Sequence, residues 1–319
     1  MADSLFRRRP LPAGLEVFDV HVNALPTGMS PPPGLYRTVT IDEVLDERAD
    51  ADGAVGTRPD ATTAPRFRGG CMTPPAGIDL LDASHRLRTR LASGETPGWR
   101  ALLRIDRGAG FRPMSGPLST PRSFATRFRA REGDVGRALL ETPSMLDDFA
   151  GVKLMPHASG LPGDDVLDVL ARSGRPLLVH AGMLCPPRWI ERHLLAKFEG
   201  TVILAHLGSW PCSADDLAYA VELAARDARV HLETSGANIG NFVRHAAEHV
   251  PEKLLFGSNR PMCPPPVQFA HVAAAVHDDD TLRAIAGGNA RRLFPHASRP
   301  PDPVPPAPTP PASTPAPPA

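Results

Sequence analysis

Short apolar runs alternate with amphipathic stretches along most of this chain. Eight runs are apolar without strict alternation, at residues 16–20, 68–72, 100–105, 151–155, 176–179, 201–205, 230–233 and 253–256. Such runs mark strands buried on both faces, as in a parallel sheet covered by helices. Between them, apolar positions recur at helical spacing in 41–50, 79–91, 134–142, 164–173, 187–198, 214–228, 240–249 and 267–276. Ser84, Asp164 and Ser213 are the right residue types for early-turn or capping positions, and Pro187 suits a first helical turn. Eight strand–helix units in about 280 residues predict an α/β fold, a single-domain (β/α)8 barrel. An open doubly wound sheet is the rival, but no Gly-x-Gly-x-x-Gly follows the first strand.

The pattern fails in three places. Residues 51–68, rich in Gly, Ala, Arg, Pro and Thr, read as a loop or irregular insertion. Residues 107–130, rich in Arg, Phe, Pro and Ser, are expected to form a wall or lid over a pocket. The last segment, 299–319, is mostly Pro, Ala and Thr and lacks the apolar side chains that offset ordering, so a disordered tail with polyproline II character is expected. The organisation is therefore an extension over 1–14, a barrel domain over 15–298 and the tail.

Composition narrows the function classes. The 319 residues carry 35 basic and 35 acidic side chains, so no charge excess points to nucleic acid or an anionic membrane surface. No apolar run is long enough to span a bilayer, and Arg7-Arg8-Arg9 has no apolar stretch behind it, so neither a span nor a secretory signal is expected. Four cysteines without small-scaffold spacing argue against a disulfide framework. A cytoplasmic protein acting on a small molecule is the expectation, and a homodimer is compatible with such a fold.

Chemistry in such a barrel sits where strands end at their carboxyl side. The first predicted strand leads into His21 and Asn23, which face the same way because side chains alternate with period two. The fourth carries Lys153, with His157 just beyond. The fifth and sixth end in His180 and His206, the seventh in Glu233, and the eighth leads to Asn259 and Arg260. A single strand-end histidine is usually a hydrogen-bonded rim residue, but three at one rim suggest a shared cavity. Cys71, Cys185, Cys212 and Cys263 also fall near strand ends, where filler is the ordinary reading and a soft ligand or nucleophile the rarer one.

Taken in order, Phe18-Asp-Val-His21-Val-Asn23, Gly151-Val-Lys153, Leu178-Val-His180-Ala-Gly182, Ile203-Leu-Ala-His206-Leu-Gly208, Leu232-Glu-Thr-Ser-Gly236, Leu255-Phe-Gly-Ser-Asn259-Arg-Pro261 and Gly288-Asn-Ala-Arg-Arg-Leu-Phe294 resemble the amidohydrolase-related branch of the amidohydrolase superfamily. The resemblance implies a barrel hydrolase in which His21, residue 23 and His180 bind a metal. It implies that His206 stands beside that metal or polarises the substrate, and that residue 259 is a ligand and the base for water. Positions 23 and 259 are asparagines here, where the family pattern has histidine and aspartate. A neutral amide is a poor zinc ligand and does not titrate in a useful range. The cofactor expected is therefore one divalent ion, zinc or manganese, held weakly, or none. Glu233 is the carboxylate available as base or missing charge. Lys153 is read as an interior cation paired with a carboxylate. Arg260, Arg104 and His157 are the candidate substrate contacts, with Arg104 also expected to pair with Asp106. The expected activity is hydrolysis of a C–N or C–O bond in a small organic substrate. The alternatives are a metal-independent lyase, decarboxylase or lactonase-like enzyme, and a non-catalytic small-molecule-binding barrel.

Overall fold

The computed structural model describes residues 11–29, 38–46, 65–75, 78–92, 98–105, 135–237 and 239–294. Residues 51–64 of the expected 51–68 insertion, Asp106, the 107–130 segment and the 299–319 tail lie outside the described residues. Eight strands, β1 (Glu16–Asn23), β2 (Arg66–Thr73), β3 (Trp99–Arg104), β4 (Gly151–Leu154), β5 (Leu177–Val179), β6 (Val202–Leu204), β7 (Val230–Glu233) and β8 (Leu254–Leu255), pair in parallel in sequence order. The first and last are joined too: Val20 N donates to Phe256 O at 3.0 Å and Asn259 N to His21 O at 2.8 Å. This is the (β/α)8 barrel that the apolar runs predict.

Two apolar clusters explain why those runs are continuous. Phe18, Val20, Leu102, Leu178, Ile203 and Leu255 fill the barrel interior, with Ala290 and Phe294 packed among them. Val17, Leu103, Leu177, Val179, Val202 and Leu204 point outward into a larger cluster under the helices. Alternate positions thus face different cores, and both faces need apolar side chains, each stabilising by roughly 1.5–3 kcal/mol when fully buried. In β1 the register against β2 shifts between Asp19 and Val22. Phe18 and Val20 point inward while Val22 points outward, and the shift turns His21 to the carboxyl mouth.

Element boundaries differ from expectation where local chemistry is stronger than the periodicity. Strand β2 begins at Arg66, so residues 66–68 belong to the sheet and not to the preceding insertion. Asp79, not Ser84, caps the helix Leu80–Ala92, its Oδ1 accepting from Leu81 N and Asp82 N at 3.1 Å. Ser84 lies buried inside that helix. Gly163 precedes Asp164–Ser173, and Asp164 pairs with Lys197 at 2.8 Å. Ser213 caps Ala214–Arg226 as expected. The pattern missed the short helices Asp279–Arg283 and Asn289–Leu293, each too brief to show a period. Among the described residues no helix is long and apolar enough to cross a membrane.

Candidate active site

The mouth of the barrel is organised around one buried carboxylate. Glu233, the last residue of β7, is fully buried and accepts from four donors: His21 Nδ1 at 2.9 Å, His206 N at 3.0 Å, Ser235 Oγ at 2.6 Å and Ser235 N at 2.6 Å. Burial pushes its pKa up, but His21, His206 and Ser235 more than reverse this and hold it below the ordinary carboxylate range. Gly257 makes the space: a methyl group there would run into Glu233 Oε2. The backbone turns sharply after β6, with His206 at φ 63° and Leu207 at φ 49°. Non-glycine residues adopt that conformation only when their surroundings require it. Here it aims the His206 amide at Glu233 and its ring at the mouth.

The tautomers follow from their partners. A carboxylate only accepts, so His21 carries its proton on Nδ1 toward Glu233, leaving a lone pair on Nε2. Lys153 Nζ lies 2.7 Å from that nitrogen. His206 Nδ1 faces the Ser235 carbonyl at 3.1 Å and the Ser235 hydroxyl at 2.8 Å, so it too is the protonated nitrogen. His206 Nε2 then accepts from His180 Nδ1 at 3.2 Å, and the lone pair of His180 lies on Nε2. His180 is partly exposed, and the His157 ring stands 4.2 Å from it. Burial, and after it the positive charge of neighbouring histidines and Lys153, keeps His180 well below its ordinary pKa. Burial also lowers His21 and His157 to about 4 and His206 to about 3, so the row is neutral at neutral pH. Lys153 is pushed down to about 7 by burial, against the pull of Glu233. It was expected to pair with a carboxylate; its direct partner is an imidazole.

The two asparagines meet on the other side of the mouth. Asn23 Nδ2 donates to Asn259 Oδ1 at 2.7 Å. Asn259 sits at φ 55°, a conformation asparagine tolerates better than most residues. Asp19, fully buried below them, accepts from His21 N at 3.1 Å and Ser258 N at 3.0 Å and so ties β1 to the loop after β8. Arg260 is buried, and its carbonyl receives the Asn23 amide at 2.8 Å. Arg104 ends β3, also buried, with Nη1 donating to Pro74 O at 3.0 Å.

By donor type and spacing, His21, His206 and Glu233 could hold a metal ion, since their ligand atoms lie within 4.8 Å of one another. Their arrangement serves other bonds. The Ser235 hydroxyl stands between them, within 3.2 Å of His21 Nδ1, 2.8 Å of His206 Nδ1 and 2.6 Å of Glu233 Oε1. Of the expected ligand trio, His21 Nε2 meets Lys153, the Asn23 amide meets Asn259, and His180 Nδ1 meets His206. Seated on His21 Nε2, an ion would have to displace Lys153; seated on Nδ1, it would have to displace the Ser235 hydroxyl. The present arrangement does not fit the family's cation.

Sequence reading found every histidine of the row and Glu233, but not Ser235, Asp19 or Trp210, whose ring lies 5.4 Å from His206. Ser235 stood in the Leu232-Glu-Thr-Ser-Gly236 run, where its spacing of two from Glu233 was the available signal. The four cysteines are free thiols; Cys71 and Cys185 are buried, which pushes both pKa values far up and suits filler, not nucleophiles.

Comparison with known proteins bears on fold and family. The amidohydrolase family model matches residues 118–296, more than half of the chain. No curated protein matches the sequence. Among solved structures, a candidate 2-pyrone-4,6-dicarboxylic acid hydrolase from Pseudomonas putida is similar at 15% identity, with TM-score 0.59 over 88% of this chain and 98% of that one. One from Acinetobacter baumannii with citric acid bound is similar at 13% identity, TM-score 0.58, over 88% of this chain and 99% of the other. An amidohydrolase 2 protein from Bifidobacterium longum subsp. infantis gives 17% identity and TM-score 0.54 over 88% and 99%. Identities this low establish a shared fold.

Proposed function

The chain belongs to the amidohydrolase family, and from that premise we propose that it is an enzyme that hydrolyses a C–O or C–N bond of a small organic substrate at the carboxyl mouth of the barrel. The observation that carries this reading is the relay from Ser235 through His206 to His180, which leaves a lone pair on the partly exposed His180. That nitrogen replaces the base lost at position 259. Water attacks the scissile carbonyl carbon while its proton passes to His180 Nε2. The bond to the leaving oxygen or nitrogen then breaks, and His180 returns the proton to it. His206 and Ser235 hold the ring in the required tautomer, as a third group orients the base in other hydrolytic sites. Glu233 fixes His206 and His21 from beneath. Asn23 and Asn259 form one wall of the pocket, with His157 opposite. Arg260 and Arg104 are the cations for a substrate carboxylate.

The test is turnover of a panel of simple lactones and carboxylic esters, with aromatic carboxylic acids included for CO2 release. Hydrolysis is expected, and His180→Ala and His206→Ala should each lower kcat by about 10²–10⁴ while far-UV circular dichroism stays unchanged. Release of CO2 without hydrolysis would favour the lyase alternative. Saturable ligand binding without turnover would favour the binding-protein alternative.

A further inference from the structure

We propose that Lys153 is the resident cation of this barrel: its Nζ, not a divalent ion, supplies the positive charge at the mouth and denies His21 to a metal. The inference deepens the functional reading above and rests on it only for the location of the site. Three observations converge. First, Lys153 Nζ lies 2.7 Å from His21 Nε2, the one nitrogen of that ring not already given to Glu233. A metal nitrogen bond is about 2.0–2.1 Å long and needs the same lone pair. An N–H of Lys153 points at this lone pair whether the side chain is ammonium or amine, so the two occupants exclude each other. Second, the positions that would bring ligand strength to an ion, Asn23 and Asn259, are neutral amides hydrogen-bonded to one another at 2.7 Å. The Asn259 amide oxygen, the ligand atom it could offer, is thereby already engaged. Third, basic groups already stand here: Lys153 lies one imidazole from Glu233, and Arg104 is buried close enough to act on both His21 and Lys153. A divalent ion would add charge beside them, which a buried site without further carboxylates does not favour.

The replacement of two ligands and the presence of the lysine are then one device. Losing the two ligands lowers the negative charge and donor strength that would hold a divalent ion. Lys153 puts a basic nitrogen, fixed by the fourth strand, against His21 in place of an ion. It polarises the mouth toward developing negative charge on a substrate oxygen and keeps His21 neutral, with its proton on the Glu233 side. Lys153 is almost wholly buried, so it acts on the substrate through its field and through His21.

The test is metal content of the full-length protein after equilibration with excess zinc and passage over a chelating resin, read by mass spectrometry, with thermal unfolding in parallel. The wild-type chain is expected to retain far less than one zinc per chain and to show no zinc-dependent rise in Tm. The double variant Asn23→His with Asn259→Asp restores the ligands but keeps the lysine; it should still bind weakly. Adding Lys153→Ala to it should tighten zinc binding by about 100-fold or more and raise Tm with zinc. Stoichiometric zinc in the wild-type chain would overturn the proposal, and that measurement depends on no variant folding. So would a double variant that binds zinc as tightly as the triple one. None of these readouts involves turnover, so they separate from the hydrolytic reading. A protein without metal and without esterase or lactonase activity would leave Lys153 in its role and remove the hydrolysis, while stoichiometric zinc with hydrolysis would do the reverse.

Discussion

Asp19 offers the cleanest physical test of the arrangement that joins the first and last strands. Its carboxyl is fully buried, and burial raises its pKa from 3.8 to about 7, against the hydrogen bonds from Ser258 and the His21 amide. An acid whose folded pKa is raised keeps its proton in the folded state while the unfolded chain has lost it. Stability must then fall as pH rises from the unfolded value toward the folded one. With the unfolded value at 3.8 and the folded value at about 7, the cost is about 1.7 kcal/mol at about pH 5 and about 4.3 kcal/mol at about pH 8. Asp19→Asn keeps the oxygen that accepts from His21 N and Ser258 N and removes the titration. Urea unfolding followed by circular dichroism should find the variant more stable than wild type, with the advantage growing by about 2–3 kcal/mol between those two pH values. A difference that stays flat with pH would refute the claim that Asp19 carries a buried, reluctant charge. A variant less stable than wild type at the higher pH would refute it outright.

Two further outcomes follow from the same site. Glu233→Gln puts an amide group where only acceptors fit, facing either the Ser235 amide or the three donors to Oε1; it should destabilise by at least about 2 kcal/mol at neutral pH and abolish turnover, checked by urea unfolding and by assay of any substrate found. Because burial and nearby cations hold His180 well below its ordinary value of 6.5, the base should stay unprotonated in mild acid, and kcat/KM should remain level well below pH 6.5. An acid limb centred at 6.5 or higher would remove His180 as the base.

Much of the fold was legible because its cause is local. Inward and outward positions of β5 and β6 both meet apolar surroundings, so Leu177-Leu178-Val179 and Val202-Ile203-Leu204 read as continuous runs even though Leu178 and Ile203 face one core and their neighbours another. The rule that chemistry sits at strand carboxyl ends then located His21, Lys153, His180, His206, Glu233 and Asn259 at one mouth. Boundaries were less legible. Arg66–Arg68 carries no apolar period but is drawn into the sheet by pairing with β1, with Glu16 opposite Arg66 and Val17 opposite Phe67. The Asp279–Arg283 and Asn289–Leu293 helices are each too short for a period to show.

The sequence by itself determined the barrel, the family and the identity of the groups at its mouth, because strand patterning and residue chemistry are written along the chain. It also put two neutral amides, Asn23 and Asn259, at strand ends. Only the tertiary structure decided what those groups do to one another. Lys153 and His21 are 132 positions apart, and His21 and Glu233 are 212 apart. Neither contact has a local signature, since each depends on closure of the ring and on a register shift in β1. That closure turns three strand-end histidines from an expected set of ligands into a hydrogen-bonded network in which Ser235 stands between His21 and His206 and an open lone pair remains on His180.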